Sequence, residues 1–261
     1  MGERKFEIIR PVAKRRKTWK IYDIRPPDMI IRNSEVDEML GKLEGKDVIK
    51  VTYKRKYKGE LITEEFTVNA AMIQCLIALL WLFGRRISEV LKLHRRHFWI
   101  MGKYLYVRFP IRKRRSPTTE YSTKRILIDN PYVKYILNYI NKLSLNDPLF
   151  PDKGWKRIVK IKVKHKRYGQ ITKYPKNEDY YIYIRDFTGY LPPDKAWKII
   201  KFLNPKITTH FFRHSVATIL AEYGCTEYEL MAWFDWDSPQ TAHKYVKRGT
   251  RLIERISQRT W

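Results

Sequence analysis

Acid is scarce in this chain: 27 Asp plus Glu stand against 54 Lys plus Arg in 261 residues, a formal charge of +27. Such an imbalance concentrates anions around the protein and costs the compact state self-repulsion. Cysteine is scarcer still. Cys75 lies in an apolar stretch and Cys225 follows a glycine, a pair without metal-ligand spacing. That excludes a disulfide framework and a zinc site and leaves two free thiols. Long apolar runs are lacking too. The one sizeable stretch, Ala70–Phe83, is too short to span a bilayer and stops at Gly84-Arg85-Arg86, so no membrane partner is expected. The opening residues, MGERKFEIIRP, carry charge where a secretory signal needs an apolar segment, and the expected location is cytoplasmic.

What is present is a composition with 44% hydrophobic residues, enough for the packed core of one large domain or of a main domain with a small appendage. The basic excess makes nucleic acid the leading partner. It begins early, in the run Lys14-Arg15-Arg16-Lys17 with Lys20 close behind, and Pro26-Pro27 suits an extended arm or linker. A solvated tail would read the same way.

Alternation over 48–57 and 61–68 around Lys58-Gly59 predicts a β-hairpin, after which Asn69 caps a buried helix, Ala70–Phe83. Gly84 stops that helix and a second, short one begins near Ile87. Two strand-like runs, YLYVRFPI and YSTKRILID, flank the basic turn RKRRSPTT, and a helix follows around 132–144. Residues 155–168, WKRIVKIKVKHKRY, alternate Lys160, Lys162, Lys164 and Lys166 with Ile161 and Val163. That is the pattern of a half-buried strand with one positive face, able to pair with YYIYI at 180–184 and to touch DNA. Lysines guarding an exposed strand edge give the same pattern.

The last hundred residues read as mostly helical. Gly224 as C-cap, Thr226 with Glu229 as a capping box, and Ser238-Pro239 as a cap and first-turn proline bracket helices at about 209–223, 227–234 and 239–247. On a helical wheel the first of these puts His210, Arg213, His214, Ala217 and Ala221 on one face, with cationic and donor groups beside small residues that admit a large anionic partner. Phe212, Val216, Ile219, Leu220 and Tyr223 fall on the opposite, core face. Trp236 sits in the loop before the last helix, and Tyr245 within it.

Three segments then resemble the tyrosine recombinases, a family that includes phage-type integrases, Xer-like resolvases and related transposases. They are FGRRISEVL at 83–91, HFFRHSVAT at 210–218 and WFDWDSPQTAHKY at 233–245, and the likeness spans roughly residues 70–250. Each box is weak alone; their order and spacing are specific. By resemblance, Arg86 is the first catalytic arginine, with Arg85 beside it and Glu89 where the family carries an acid. His210 and Arg213 come from the second box. Trp236 stands where the family has histidine or tryptophan, and Tyr245, nine residues on, is the nucleophile. A family lysine on a β-hairpin between the boxes maps to Lys113, with Lys124 as the weaker candidate.

The chemistry explains the residue types. When a phenolic oxygen attacks a phosphodiester, charge builds on the equatorial oxygens, and fixed guanidinium groups such as Arg86 and Arg213 stabilise it. Lys113 could protonate the leaving 5′-oxygen, while His210 could hydrogen-bond the phosphate or help deprotonate the phenol. Trp236 can only donate, through its indole N–H. The product is a 3′-phosphotyrosyl link that stores the bond energy for religation. The resemblance implies no cofactor, neither metal nor nucleotide. His214 and His243 read as packing or hydrogen-bonding residues. Asp235 and Asp237 alternate around an indole without partner ligands, which argues against a metal pair.

The expected fold class is therefore α+β, a mostly helical tyrosine-recombinase catalytic domain with small antiparallel β-hairpins over 66–261, including a tail at about 246–261. Residues 1–65 are expected to form a basic arm or reduced DNA-binding segment, because Arg86 has too few residues before it for the full helical domain many members carry. Expected DNA contacts are Lys14, Arg15, Arg16, Arg85, Arg112, Arg114, Arg115, Lys160, Lys162 and Lys164. The family analogy implies double-stranded DNA as partner and a homo-tetramer on two synapsed sites, with Leu252, Ile253, Ile256 and Trp261 of the tail as apolar contacts to a neighbour. Integrase, resolvase and transposase roles stay open, as do type IB topoisomerase-like relaxation and an inactive DNA-binding descendant of the fold.

Overall fold

Asn69 ends a hairpin and starts a helix in one step: extended at φ −68°, it accepts the Met72 amide hydrogen at 2.9 Å on its side chain. Before it, β1 (Val48–Tyr57) and β2 (Glu60–Asn69) pair antiparallel with Val51 opposite Phe66. After it runs α2 (Ala70–Phe83), which buries eleven of its fourteen residues and is apolar on all sides. A helix that is apolar all round belongs at the centre of the packed elements. It packs against α1 (Asn33–Gly41), α4 (Val133–Ile140) and α6 (Thr209–Glu222). No helix of the described residues is long and apolar enough to cross a membrane.

The structure, a computed structural model, describes residues 30–57, 60–111, 120–152, 156–160, 165–167, 170–172, 181–185 and 189–246, with side chains at 30–54, 63–111, 120–152 and 189–246. From Ile31 onward the described residues form one compact unit. Its core takes in Val36, Met39 and Leu40 of α1 as well as Val51 and Val68 of the hairpin. The sequence-based boundary at 65/66 falls inside β2, whereas the structure divides at 30/31. The short stretch before Arg86 makes 31–65 read as part of an arm, yet Val36, Met39, Leu40, Leu43 and Val51 are buried in the core.

The short α3 (Ile87–Val90) follows Gly84. A meander then orders β3 (Phe98–Met101), β4 (Tyr104–Ile111) and β5 (Glu120–Leu127) side by side, with Val107 opposite Lys124 and Phe109 opposite Ser122. Farther on, β6 (Lys156–Lys160) pairs with β9 (Tyr181–Arg185), and β7 (His165–Arg167) with β8 (Gln170–Thr172). The expected pairing with 180–184 holds for β6, but 155–168 is not one strand with one partner. A nearby partner costs less loop-closure entropy, and β7 takes it.

Four helices complete the chain: α5 (Pro193–Leu203), α6, α7 (Glu227–Phe234) and α8 (Pro239–Val246). The last three match the expected spans to within a residue or two. Thr226 accepts the Glu229 amide hydrogen at 3.2 Å while Glu229 accepts the Thr226 amide hydrogen at 2.7 Å. The observed class is α+β, helix-rich with small antiparallel sheets.

Candidate active site

Gly84 separates two neighbouring arginines into different environments. Its backbone is left-handed at φ 57°, and a Cβ there would lie 2.6 Å from Phe234 Cε1 and 3.1 Å from Val216 Cβ. Only glycine fits. The turn sends Arg85 inward, fully buried over the Phe109 ring at 5.0 Å, and leaves the Arg86 side chain half-exposed. Glu89, at the third position of α3, serves both: one carboxylate oxygen lies 3.1 Å from Arg85 Nε, and the other accepts from Arg86 Nη1 at 2.9 Å. Arg85 was expected to contact DNA beside the catalytic arginine. Buried between two carboxylates, Glu89 and Asp235, it is instead a strut within the protein.

The far end of that strut is Asp235. This residue caps α7 in a left-handed conformation, φ 50°, uncommon for a residue with a side chain. Its carboxylate pairs with Arg85, accepts from Ser122 Oγ at 2.9 Å, and lies 3.2 Å from Lys124 Nζ. Lys124 also donates to the Ala232 carbonyl at 2.5 Å. Burial lowers the Lys124 pKa, against the opposing pull of Asp235. The first box, β5 and the turn before Trp236 are thereby tied at one carboxylate.

Arg213, on α6, is buried and grips two carbonyls, donating to Gly84 O at 3.0 Å and Phe234 O at 2.8 Å. Its guanidinium carbon lies 4.9 Å from the Phe234 ring centre and 5.4 Å from that of Trp236. Burial, and then the repulsion of Arg86, pull its pKa down to about 10, which leaves it cationic at neutral pH. Trp236 is sandwiched, stacked on Phe234 at 4.7 Å and on Tyr245 at 5.3 Å. The Tyr245 hydroxyl, on α8, lies 3.4 Å from His214 Nδ1. Burial raises the phenol pKa, partly countered by the charge of Arg213.

The structure thus brings together Arg86, Arg213, Trp236 and Tyr245 from the residue before α3, from α6, from the α7–α8 turn and from α8. His210 is exposed one turn before His214. Lys14, Arg15, Arg16, Arg112, Lys113, Arg114, Arg115, Lys162, Lys164 and the tail residues Leu252, Ile253, Ile256 and Trp261 lie outside the described residues, and Lys160 is described by its backbone alone. The wheel reading of α6 needs correction. Ala217 and Ala221 are core, and Tyr223 of the expected core face is 65% exposed. Because α6 packs against α2, α5, α7 and α8, neither face is wholly open: His210 is exposed, and Thr218, Ile219 and Leu220 are partly so. Sequence reasoning missed Ser122, for which no signal exists, and read Asp235 and His214 without their partners.

No protein-family model and no curated protein matches the chain. Solved structures do. XerA recombinase is similar at 12% identity, with 89% of this chain covering 66% of that one and a TM-score of 0.50. The Tn1549 transposon integrase, in complex with circular intermediate DNA, is similar at 13% identity over 92% of this chain and 67% of that one, TM-score 0.50. For XerH site-specific recombinase, bound to its difH substrate, the figures are 15% identity, 88% of this chain and a TM-score of 0.47; this chain spans 52% of its length. The fold of the tyrosine recombinases is the fold of this chain.

Proposed function

We propose that the chain cuts and rejoins double-stranded DNA at specific sites, with Tyr245 as nucleophile and a 3′-phosphotyrosyl intermediate. One observation carries this reading: the Tyr245 phenol stacks on Trp236 in the field of Arg213, itself clamped between the first and third boxes. A buried, pre-oriented guanidinium is suited to the charge that builds on a phosphoryl group. Arg86 supplies a second cation from the half-exposed side, and Trp236 an indole donor. His210 binds the phosphate, and Lys113 protonates the leaving 5′-oxygen, with Lys124 as its substitute. The basic excess holds the DNA backbone, and a homo-tetramer on two synapsed sites carries strand exchange in an integrase, resolvase or transposase role.

The test is incubation with duplexes carrying candidate element ends, in EDTA, followed by a denaturing gel. A covalent protein–DNA band, weakened as salt releases the complex, supports the reading. Cleavage that appears only on adding magnesium, without a covalent species, contradicts it.

A further inference from the structure

Tyr245 is stabilised as the neutral phenol, and a neutral phenol is a poor nucleophile. Burial pushes its ionisation up, while Arg213 pulls the other way. A site that attacks with this oxygen needs a group within reach to receive its proton. The aromatic sandwich of Phe234, Trp236 and Tyr245 supplies no acceptor on the ring faces, and the guanidinium groups of Arg85, Arg86 and Arg213 can only donate. The ring beside the hydroxyl is that of His214, with Nδ1 at 3.4 Å from the oxygen, centroids 5.4 Å apart and planes tilted by 52°.

Resting on the reading of Tyr245 as nucleophile, we infer that His214 is the general base that takes its proton. For Nδ1 to accept, the imidazole is neutral with its hydrogen on Nε2. In the step, the phenol O–H bond breaks and its proton passes to His214 Nδ1. The phenolic oxygen bonds to phosphorus, and the P–O5′ bond breaks with its electron pair leaving on the 5′-oxygen, which is protonated by the hairpin lysine. Religation reverses the sequence, and His214 returns the proton to the departing Tyr245. An apo distance of 3.4 Å is long for a hydrogen bond but ordinary for a catalytic pair that tightens on substrate.

The position in the helix fits the task. His214 follows Arg213, whose two carbonyl bonds fix that turn of α6, and the Thr218 hydroxyl donates to the His214 carbonyl at 3.0 Å. His210, a turn earlier and exposed, is left to the phosphate. The two histidines thereby take separate roles on one strip of helix.

The experiment measures the rate of covalent complex formation with His214→Asn and His214→Gly, keeping DNA affinity and melting temperature as controls on folding. An amide oxygen can accept the phenol hydrogen bond but cannot take its proton, so His214→Asn is expected to react about 100-fold or more slowly. Added imidazoles should restore His214→Gly, with rescued rates that rise with the basicity of the imidazole; a mere space-filling role would make rescue follow ring size instead. Rescue that ignores basicity, or a His214→Asn rate equal to the wild type, overturns the base assignment while the wild type still forms the adduct. A wild type that forms no adduct on any DNA overturns the nucleophile, and the base assignment with it.

Discussion

Arg85 and Asp235 stand 150 positions apart in sequence and form an ion pair in which the guanidinium is fully buried. The pair joins the turn after α2 to the turn before Trp236, and with the Arg213 clamp on Gly84 O and Phe234 O it positions the half of the site bearing Arg86 against the half bearing Tyr245. Such a pair is weak evidence for stability in itself, but removing one partner leaves a buried charge uncompensated.

Asp235→Ala should accordingly destabilise the protein by about 3 kcal/mol, toward the lower end for a broken buried pair because Glu89 still faces Arg85. Thermal melts check this. Asp235→Ala combined with Arg85→Met should recover part of the loss, since the stranded cation is then gone.

Gly84→Ala meets two penalties at once: a left-handed backbone and a Cβ 2.6 Å from Phe234 Cε1. Together they should cost about 2–4 kcal/mol. Because Phe234 carries the Trp236–Tyr245 stack, near-ultraviolet circular dichroism of the aromatic cluster should change even at temperatures where the variant stays folded.

Arg213→Lys keeps the charge but loses the fork that reaches Gly84 O and Phe234 O together. Strand cleavage should fall by roughly 100- to 1000-fold, as for loss of one preorganised donor to developing charge. DNA affinity, set by many exposed cations, should move little; a parallel loss of both would make Arg213 a binding residue only.

Acid should weaken the fold through His97. Burial, first, and then neighbouring charges lower its pKa from 6.5 to about 4, and its Nδ1 accepts the His94 amide hydrogen at 3.1 Å. The unfolded chain takes up the proton first as pH falls, so stability is full above about 6.5 and declines toward 4. Melting temperatures between pH 7 and 5 should drop less for His97→Asn than for the wild type.

Much of this was legible in sequence where local rules operate. The Asn69 cap, the Gly84 stop and the Thr226–Glu229 capping box each depend on residues a few positions apart, and all three appear as expected. Of the residues that the three boxes name, Arg86, Arg213, Trp236 and Tyr245 lie near one another. What sequence could not disclose was the sorting of neighbours: Arg85 and Arg86 look alike in a string, and only the packing of Phe109, Phe234 and Asp235 decides which is buried. The same holds for α6, where contact with four helices overrode a two-faced wheel. His214 was passed over because its partner lies on α8, 31 positions away.

The central claim is the identity of the nucleophile. The most direct measurement traps the adduct on DNA, digests it with nuclease and protease, and locates the nucleotide by mass spectrometry. A 3′-phosphonucleotide on Tyr245 is expected, and no adduct from Tyr245→Phe, whose DNA affinity stays at the wild-type level because the hydroxyl is needed for attack and not for backbone contacts. A nucleotide on any other residue, or an adduct that survives Tyr245→Phe, would contradict it.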